Sequence, residues 1–145
     1  MAGGFHDVHL EIHSAIEALE LVQVVAEYIT RRLGLDEETL HWTVMAVRET
    51  VINAITHGNK SDAAKLVFID FTAVPGEHPK DLLVRVRDQG TGFDPDSLSD
   101  PLTAENVLKA SGRGIFLIRQ FMDEVTIQRA GEGGMEVRMV KHIRD

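Results

Sequence analysis

Glu49, Asn53 and His57 recur every four residues in RETVINAITHGNK (48–60). Residues four apart stack on one side of an α-helix, so this acid, amide and imidazole would share one stripe. A carboxylate there can accept a proton from a hydroxyl or a water. An amide oxygen suits magnesium, which takes oxygen ligands octahedrally, keeps several waters and shares phosphate oxygens with a substrate. Taken alone, Glu49 and Asn53 also fit an i,i+4 surface pair. His57 fits a hydrogen-bonding helix end better than a catalyst, because no triad partner is evident.

Two further stretches carry chemical potential. In VRVRDQGTGFDP (84–95), Asp88 ends an apolar strand and is followed by Gly90 and Gly92. Glycines let a backbone approach a flat or charged ligand, and an acid at a strand end can accept from an exocyclic amine such as that of adenine. A turn in which Asp88 bonds its own backbone fits the same residues. A dinucleotide fingerprint does not, because Pro95 follows and no helix opens. A calcium loop fails as well: glycines stand where ligands belong, and the closing Glu is missing. In SGRGIFLIRQFMDEV (111–125), Gly112, Arg113 and Gly114 precede or open a helix. Free N–H groups and the positive dipole end make an anion site there, or else the glycines form a hinge. There is no Walker sequence, and neither motif of the eukaryotic-type kinases is present.

These residues need elements to hold them. VHLEIH (8–13) alternates as a half-buried strand. Residues 14–33 have helical spacing, with Ser14 as N-cap, Glu17 in the capping-box position and Gly34 as a C′ glycine. A second helix is expected from the Asp36 N-cap through Trp42 to His57, stopping at Gly58. On its wheel Val44, Val47, Val51 and Ile55 cluster on one side, while Glu49, Asn53 and His57 lie nearly opposite with Trp42 and Ala46. A merely solvated face would not carry Trp and Ala between its polar positions, so something should cover it. Strands are expected at 64–74 and 80–88, joined across PGEHP. An irregular Gly/Pro/Ser/Asp-rich segment follows at 89–112, then a helix at 113–122 and a hairpin of 123–130 with 135–143 around GEGG. Consecutive strands on short loops imply antiparallel pairing. The predicted fold class is α+β: a two-layer sandwich over residues 1–145, its mixed sheet mostly antiparallel, with helices on one face.

Bulk properties narrow the function. The chain of 145 residues is 43% hydrophobic and 26% charged, enough for about one domain with its own core. It has no cysteine, which removes disulfides and thiolate metal sites. A formal net charge of −8 disfavours nucleic acid as a direct partner but permits a nucleotide held by backbone N–H groups. The N-terminus lacks the basic and apolar regions of a secretion signal, and no apolar run approaches the roughly 20 residues of a membrane helix. A cytoplasmic protein without membrane contact is expected.

In order, ETVINAITHG (49–58), DQGTGF (88–93) and SGRGIFLI (111–118) resemble the N, G1 and G2 boxes of the GHKL ATPase superfamily. The element order is similar to its Bergerat fold, with an ATP lid at about 94–112. DPLTAENVLKASGRGIFLIRQFMDEV (100–125) and EVRMVKHI (136–143) further resemble the small anti-sigma-factor serine/threonine-protein kinases of bacterial partner-switching systems. The resemblance implies ATP and Mg2+ as cofactors. Asn53 would be the metal ligand, Glu49 the general base for a serine hydroxyl, and Asp88 the acceptor of the adenine amine. Gly90 and Gly92 would shape the pocket, Gly112, Arg113, Gly114 and Ile115 would lie against the phosphates, and His57 and Gly58 would complete the N box. Implied partners are an anti-anti-sigma protein of the STAS type, a sigma factor and a second copy of the chain. The alternative is a nucleotide-gated binding module that transfers no phosphate. One departure is Gly134-Met135, where relatives often have Gly-Thr; a hydroxyl that would support the base pocket is missing.

Overall fold

A computed structural model of the chain describes residues 7–74, 80–91, 114–131 and 133–143, with residues 114–116 described by their backbone. Gly92, Gly112, Arg113, the PGEHP loop, the lid at about 94–112 and the Ile115 side chain therefore lie outside the described residues. The described strands are β1 (Asp7–His13), β2 (Leu66–Val74), β3 (Asp81–Arg87), β4 (Glu124–Arg129) and β5 (Met135–His142). They form one sheet in the order β1-β2-β3-β5-β4. Every pairing is antiparallel, so the described sheet is more uniform than the mixed sheet expected.

Alternation makes these strands. In β2, Val67, Ile69, Phe71 and Ala73 are buried, while Phe68, Asp70 and Thr72 between them are half-buried on the other face. The register sets Ile69 opposite Val86 and Phe71 opposite Val84, and Val84 in turn opposite Met139. One apolar layer thus runs across the sheet, because side chains two apart share a face. Helices α1 (Leu19–Arg32) and α2 (Glu37–Asn53) cover that layer with Val22, Ala26, Ile29, Val44, Val47 and Val51. The opposite face carries polar cross-strand contacts: Arg85 to Glu136 at 3.3 Å, Arg87 over the Phe68 ring at 4.5 Å, and His9 to Asp70. No described helix is long and apolar enough to cross a membrane.

Helix α2 is covered on two sides. Its valines face the sheet, while α3 (Gly114–Phe121) packs along another flank. The Trp42 ring stacks on Phe121 with centroids 4.3 Å apart and planes 8° from parallel, and Ala46 is wholly buried. Of the Trp and Ala that looked out of place on a solvated face, Ala46 is thus covered, while Trp42 has one ring face on Phe121 and stays 37% exposed. The buried threonines of α2 satisfy their hydroxyls inside the helix: Thr43 Oγ1 donates to the Thr39 carbonyl and Thr50 Oγ1 to that of Ala46. Asp36 caps α2 as expected, accepting from the Thr39 N–H at 2.8 Å.

Three expectations change. Ser14 does not cap a helix. A 3-10 turn at Ile16–Ala18 precedes α1, and the Ser14 hydroxyl instead donates to the Lys65 carbonyl and accepts from Asn59. The α2 hydrogen-bond pattern does not run to His57. It ends at Asn53 and passes into a π turn over Ala54–Gly58, closed by the Asn59 N–H on the Ala54 carbonyl at 2.8 Å. The second strand starts at Leu66 rather than 64, after a turn in which Lys60 and Ser61 take positive φ.

Candidate functional site

The end of β3 and the end of α2 meet at one carboxylate. Asp88, one residue past β3, is 6% exposed. Its Oδ1 accepts two backbone N–H groups, from Gly90 at 2.9 Å and from Met135 at 3.0 Å. The Asp88 N–H donates to the Met135 carbonyl, so the two residues are bonded in both directions, one way by backbone and the other through the Asp88 side chain. Oδ2 has no hydrogen-bond partner among the described residues. It is not sealed either, since among the described residues no fully buried side-chain oxygen or nitrogen lacks a partner. One oxygen is therefore committed to the protein, and the other remains an acceptor for something else.

Three glycines make this packing possible. A Cβ on Gly58 would stand 2.1 Å from Asp88 Oδ2, and one on Gly90 2.0 Å from the Gly58 carbonyl oxygen. One on Gly134 would stand 2.2 Å from the Asp88 carbonyl oxygen and 2.8 Å from Oδ1. Gly134 also has φ +70°, a region other residues adopt only with strain. Burial pushes the Asp88 carboxyl above its ordinary pKa, against the opposing pull of the Gly90 and Met135 N–H groups and the Lys65 charge. Desolvation disfavours the ionised form more than two neutral donors restore it.

The polar stripe of α2 lies just upstream of this junction. Glu49 and Asn53 are half-buried and make no side-chain hydrogen bond or ion pair among the described residues. His57 lies exposed in the π turn, and Gly58 closes that turn directly against Asp88. The structure thus brings Gly58, Asp88 and Gly90 into contact, with Glu49 and Asn53 on the helix leading to them. Gly114 is the first residue of α3. Among the described residues no group of three or more His, Cys, Asp or Glu could hold a metal ion. A metal fitting here would use the Asn53 amide oxygen together with ligand and water oxygens, which matches the habits of magnesium.

Sequence reasoning passed over Asn59, Gly134 and the backbone of Met135 as site components. The GEGG run held the signal for Gly134, since paired glycines at a hairpin mark positive φ. Asn59 had none: its side-chain partners are Ser14, Leu66 and Gln89, distant in sequence. Met135 acts through its N–H, which every residue but proline supplies, so its side chain gives no cue.

A family model described as the histidine kinase-like ATPase domain matches residues 12–141. The anti-sigma F factor of Geobacillus thermodenitrificans is 32% identical over 142 residues, covering 95% of this chain and 93% of that protein. The serine-protein kinase RsbW of Staphylococcus epidermidis is 26% identical over 144 residues, covering 94% and 87%. Among solved structures, the RsbU and RsbW domains of a Mycobacterium tuberculosis protein align with TM-score 0.67 at 17% identity, a likeness of fold. That alignment covers 97% of this chain and 34% of the other. The match runs from the last residues of β1 almost to the end of β5 and takes in every part of the glycine-lined junction; the chain belongs to the histidine kinase-like ATPase domain family.

Proposed function

We propose that this chain is an ATP-dependent serine kinase and anti-sigma factor that phosphorylates an anti-anti-sigma protein of the STAS type. The observation that carries the reading is the divided carboxylate of Asp88. One oxygen is fixed by two N–H groups; the other is open and pressed against Gly58 at the end of the stripe bearing Glu49 and Asn53. A lone open acceptor flanked by glycines suits the exocyclic amine of adenine, with Gly90 and Gly92 giving the base room. The names of the relatives, anti-sigma F factor and serine-protein kinase RsbW, support the choice of acceptor and partners.

In this reading Asn53 holds magnesium, which neutralises charge on the phosphate oxygens when bound. Gly112, Arg113 and the Gly114–Ile115 start of α3 take the phosphates. The serine oxygen bonds to the γ-phosphorus as the bond to the β–γ bridging oxygen breaks. ADP leaves with that electron pair, and Glu49 accepts the hydroxyl proton. His57 stays outside the chemistry. A nucleotide-gated module without transfer would need no acid at position 49, and incubating the protein with labelled ATP and STAS-type partners separates the two.

The homodimer belongs to the same reading. Leu21, Val24 and Tyr28 are 53%, 63% and 61% exposed along one side of α1, an apolar stripe on the surface. Glu17 stands before its start and Arg31 and Arg32 at its end. Two such helices crossing antiparallel would bury the stripe and set acid against base at both ends, the self-complementarity a two-fold interface needs.

Four outcomes are expected. Glu49→Ala keeps nucleotide affinity within about twofold and slows phosphate transfer about 10²–10⁴-fold; a wild-type single-turnover rate removes Glu49 as base. Asn53→Ala loses about tenfold in affinity with magnesium and little without it, and equal losses in both conditions contradict the metal role. Val24→Glu sediments as a monomer where the wild type sediments as a dimer. The fourth concerns pH. Because Oδ1 is occupied, a proton on Asp88 goes to Oδ2 and turns the acceptor into a donor facing the amine. Ligand binding therefore weakens as pH falls through the raised pKa. The unliganded protein responds oppositely: its folded pKa exceeds the unfolded one, so Asp88 adds stability as pH falls through the folded value. The advantage of ADP over IDP should shrink on acidification; an advantage constant with pH contradicts the assignment.

A further inference from the structure

We infer that Asn59 is a positioning residue for purine recognition: it fixes the loop carrying Asp88 to the end of the α2 polar stripe. The inference rests on the reading of Asp88 as the adenine acceptor. Asn59 is 1% exposed, and its amide is fully used. Nδ2 donates to Ser14 Oγ at 2.8 Å and to the Leu66 carbonyl at 3.0 Å, while Oδ1 accepts the Gln89 N–H at 2.8 Å. Gln89 lies between Asp88 and Gly90, and its own side chain accepts the Leu66 N–H at 2.7 Å. Ser14 is anchored in turn by donating to the Lys65 carbonyl at 2.8 Å.

The arrangement calls for an amide of this length. Aspartate would keep the acceptor toward Gln89 and lose both donors; glutamine would push an extra methylene into a filled site. Asn59 also shares a peptide with Gly58, whose carbonyl oxygen lies against Gly90 and whose Cα leaves room for Asp88 Oδ2. The π turn delivers Asn59 to this place, because its extra residue re-aims the chain after Asn53 toward β3. The Asn59 side chain thus ties the end of the helix bearing Asn53 to the loop carrying Asp88, beside the direct contact of Gly58 with that carboxylate. Slack there lets the acceptor oxygen drift from the amine without touching the phosphate end.

The test is the ratio of ATP to ITP affinity, because ITP carries a carbonyl in place of the amine and a proton on the neighbouring N1, while its ribose and phosphates are unchanged. Calorimetric titrations would compare the wild type with Asn59→Ser, which cannot span the three partners, and with Ser14→Ala, which removes one of them. The wild type should prefer ATP by about tenfold or more, the worth of a hydrogen bond to a charged acceptor. Asn59→Ser should bring that preference down about tenfold while ITP affinity stays within about twofold. Ser14→Ala should lower it about two- to threefold. Equal losses for ATP and ITP in Asn59→Ser would mark a merely structural residue and overturn the inference. An undiminished preference in either variant would overturn it as well, and Ser14→Ala decides alone if Asn59→Ser does not fold. A wild type without preference would remove the adenine reading of Asp88 and this inference with it. A preference in the wild type that survives in the variants removes only the inference.

Discussion

The close approach of three backbones to one buried carboxylate is the constraint on which the rest of this structure depends. Asp88 can sit 6% exposed only because Gly58, Gly90 and Gly134 present no side chain to it and because two N–H groups compensate one oxygen. An uncompensated buried carboxylate would be strongly unfavourable. Partial compensation leaves a group whose pKa is raised and whose second oxygen is still reactive toward a donor. The fold serves this point directly. The β3–β5 pairing places Met135 beside Asp88, and the π turn after α2 brings Gly58 onto the same carboxylate.

Helix α2 shows how one element serves core and site together. Its valines belong to the core under the sheet, Ala46 is wholly buried and Trp42 stacks on Phe121 of α3, so the helix has little freedom to roll. Glu49 and Asn53 are then presented at a fixed azimuth, half-buried and uncommitted to neighbours among the described residues. Had they been ordinary surface residues, i,i+4 partners or full exposure would be the norm. The π turn that follows the helix fits the same picture, since such turns are frequent at functional sites.

Much of this was legible in the sequence, and the legible part has a common physical basis. Strands β1, β2 and β3 announce themselves because one face of the sheet is buried, which imposes a period of two. The α2 stripe was visible because it breaks the expected pattern of a surface helix, and Asp88 because glycines follow it. What escaped was whatever depends on distant partners or on backbone alone. Ser14 reads as a helix cap by local rules, yet its hydroxyl is claimed by Asn59 and Lys65 across the fold. The π turn has no residue signature in AITHG. The link of position 135 to Asp88 runs through the backbone N–H, which comparing Met135 with threonine by side chain does not bring out.

The proposed function requires a single nucleotide seated between Asp88 and the α2 stripe. Titration calorimetry of the wild-type protein with ADP, in the presence and absence of magnesium, tests it most directly. The account predicts saturable heat for one nucleotide per chain, tighter with the metal, and a raised melting temperature. No heat, together with an unchanged melting temperature, would contradict it.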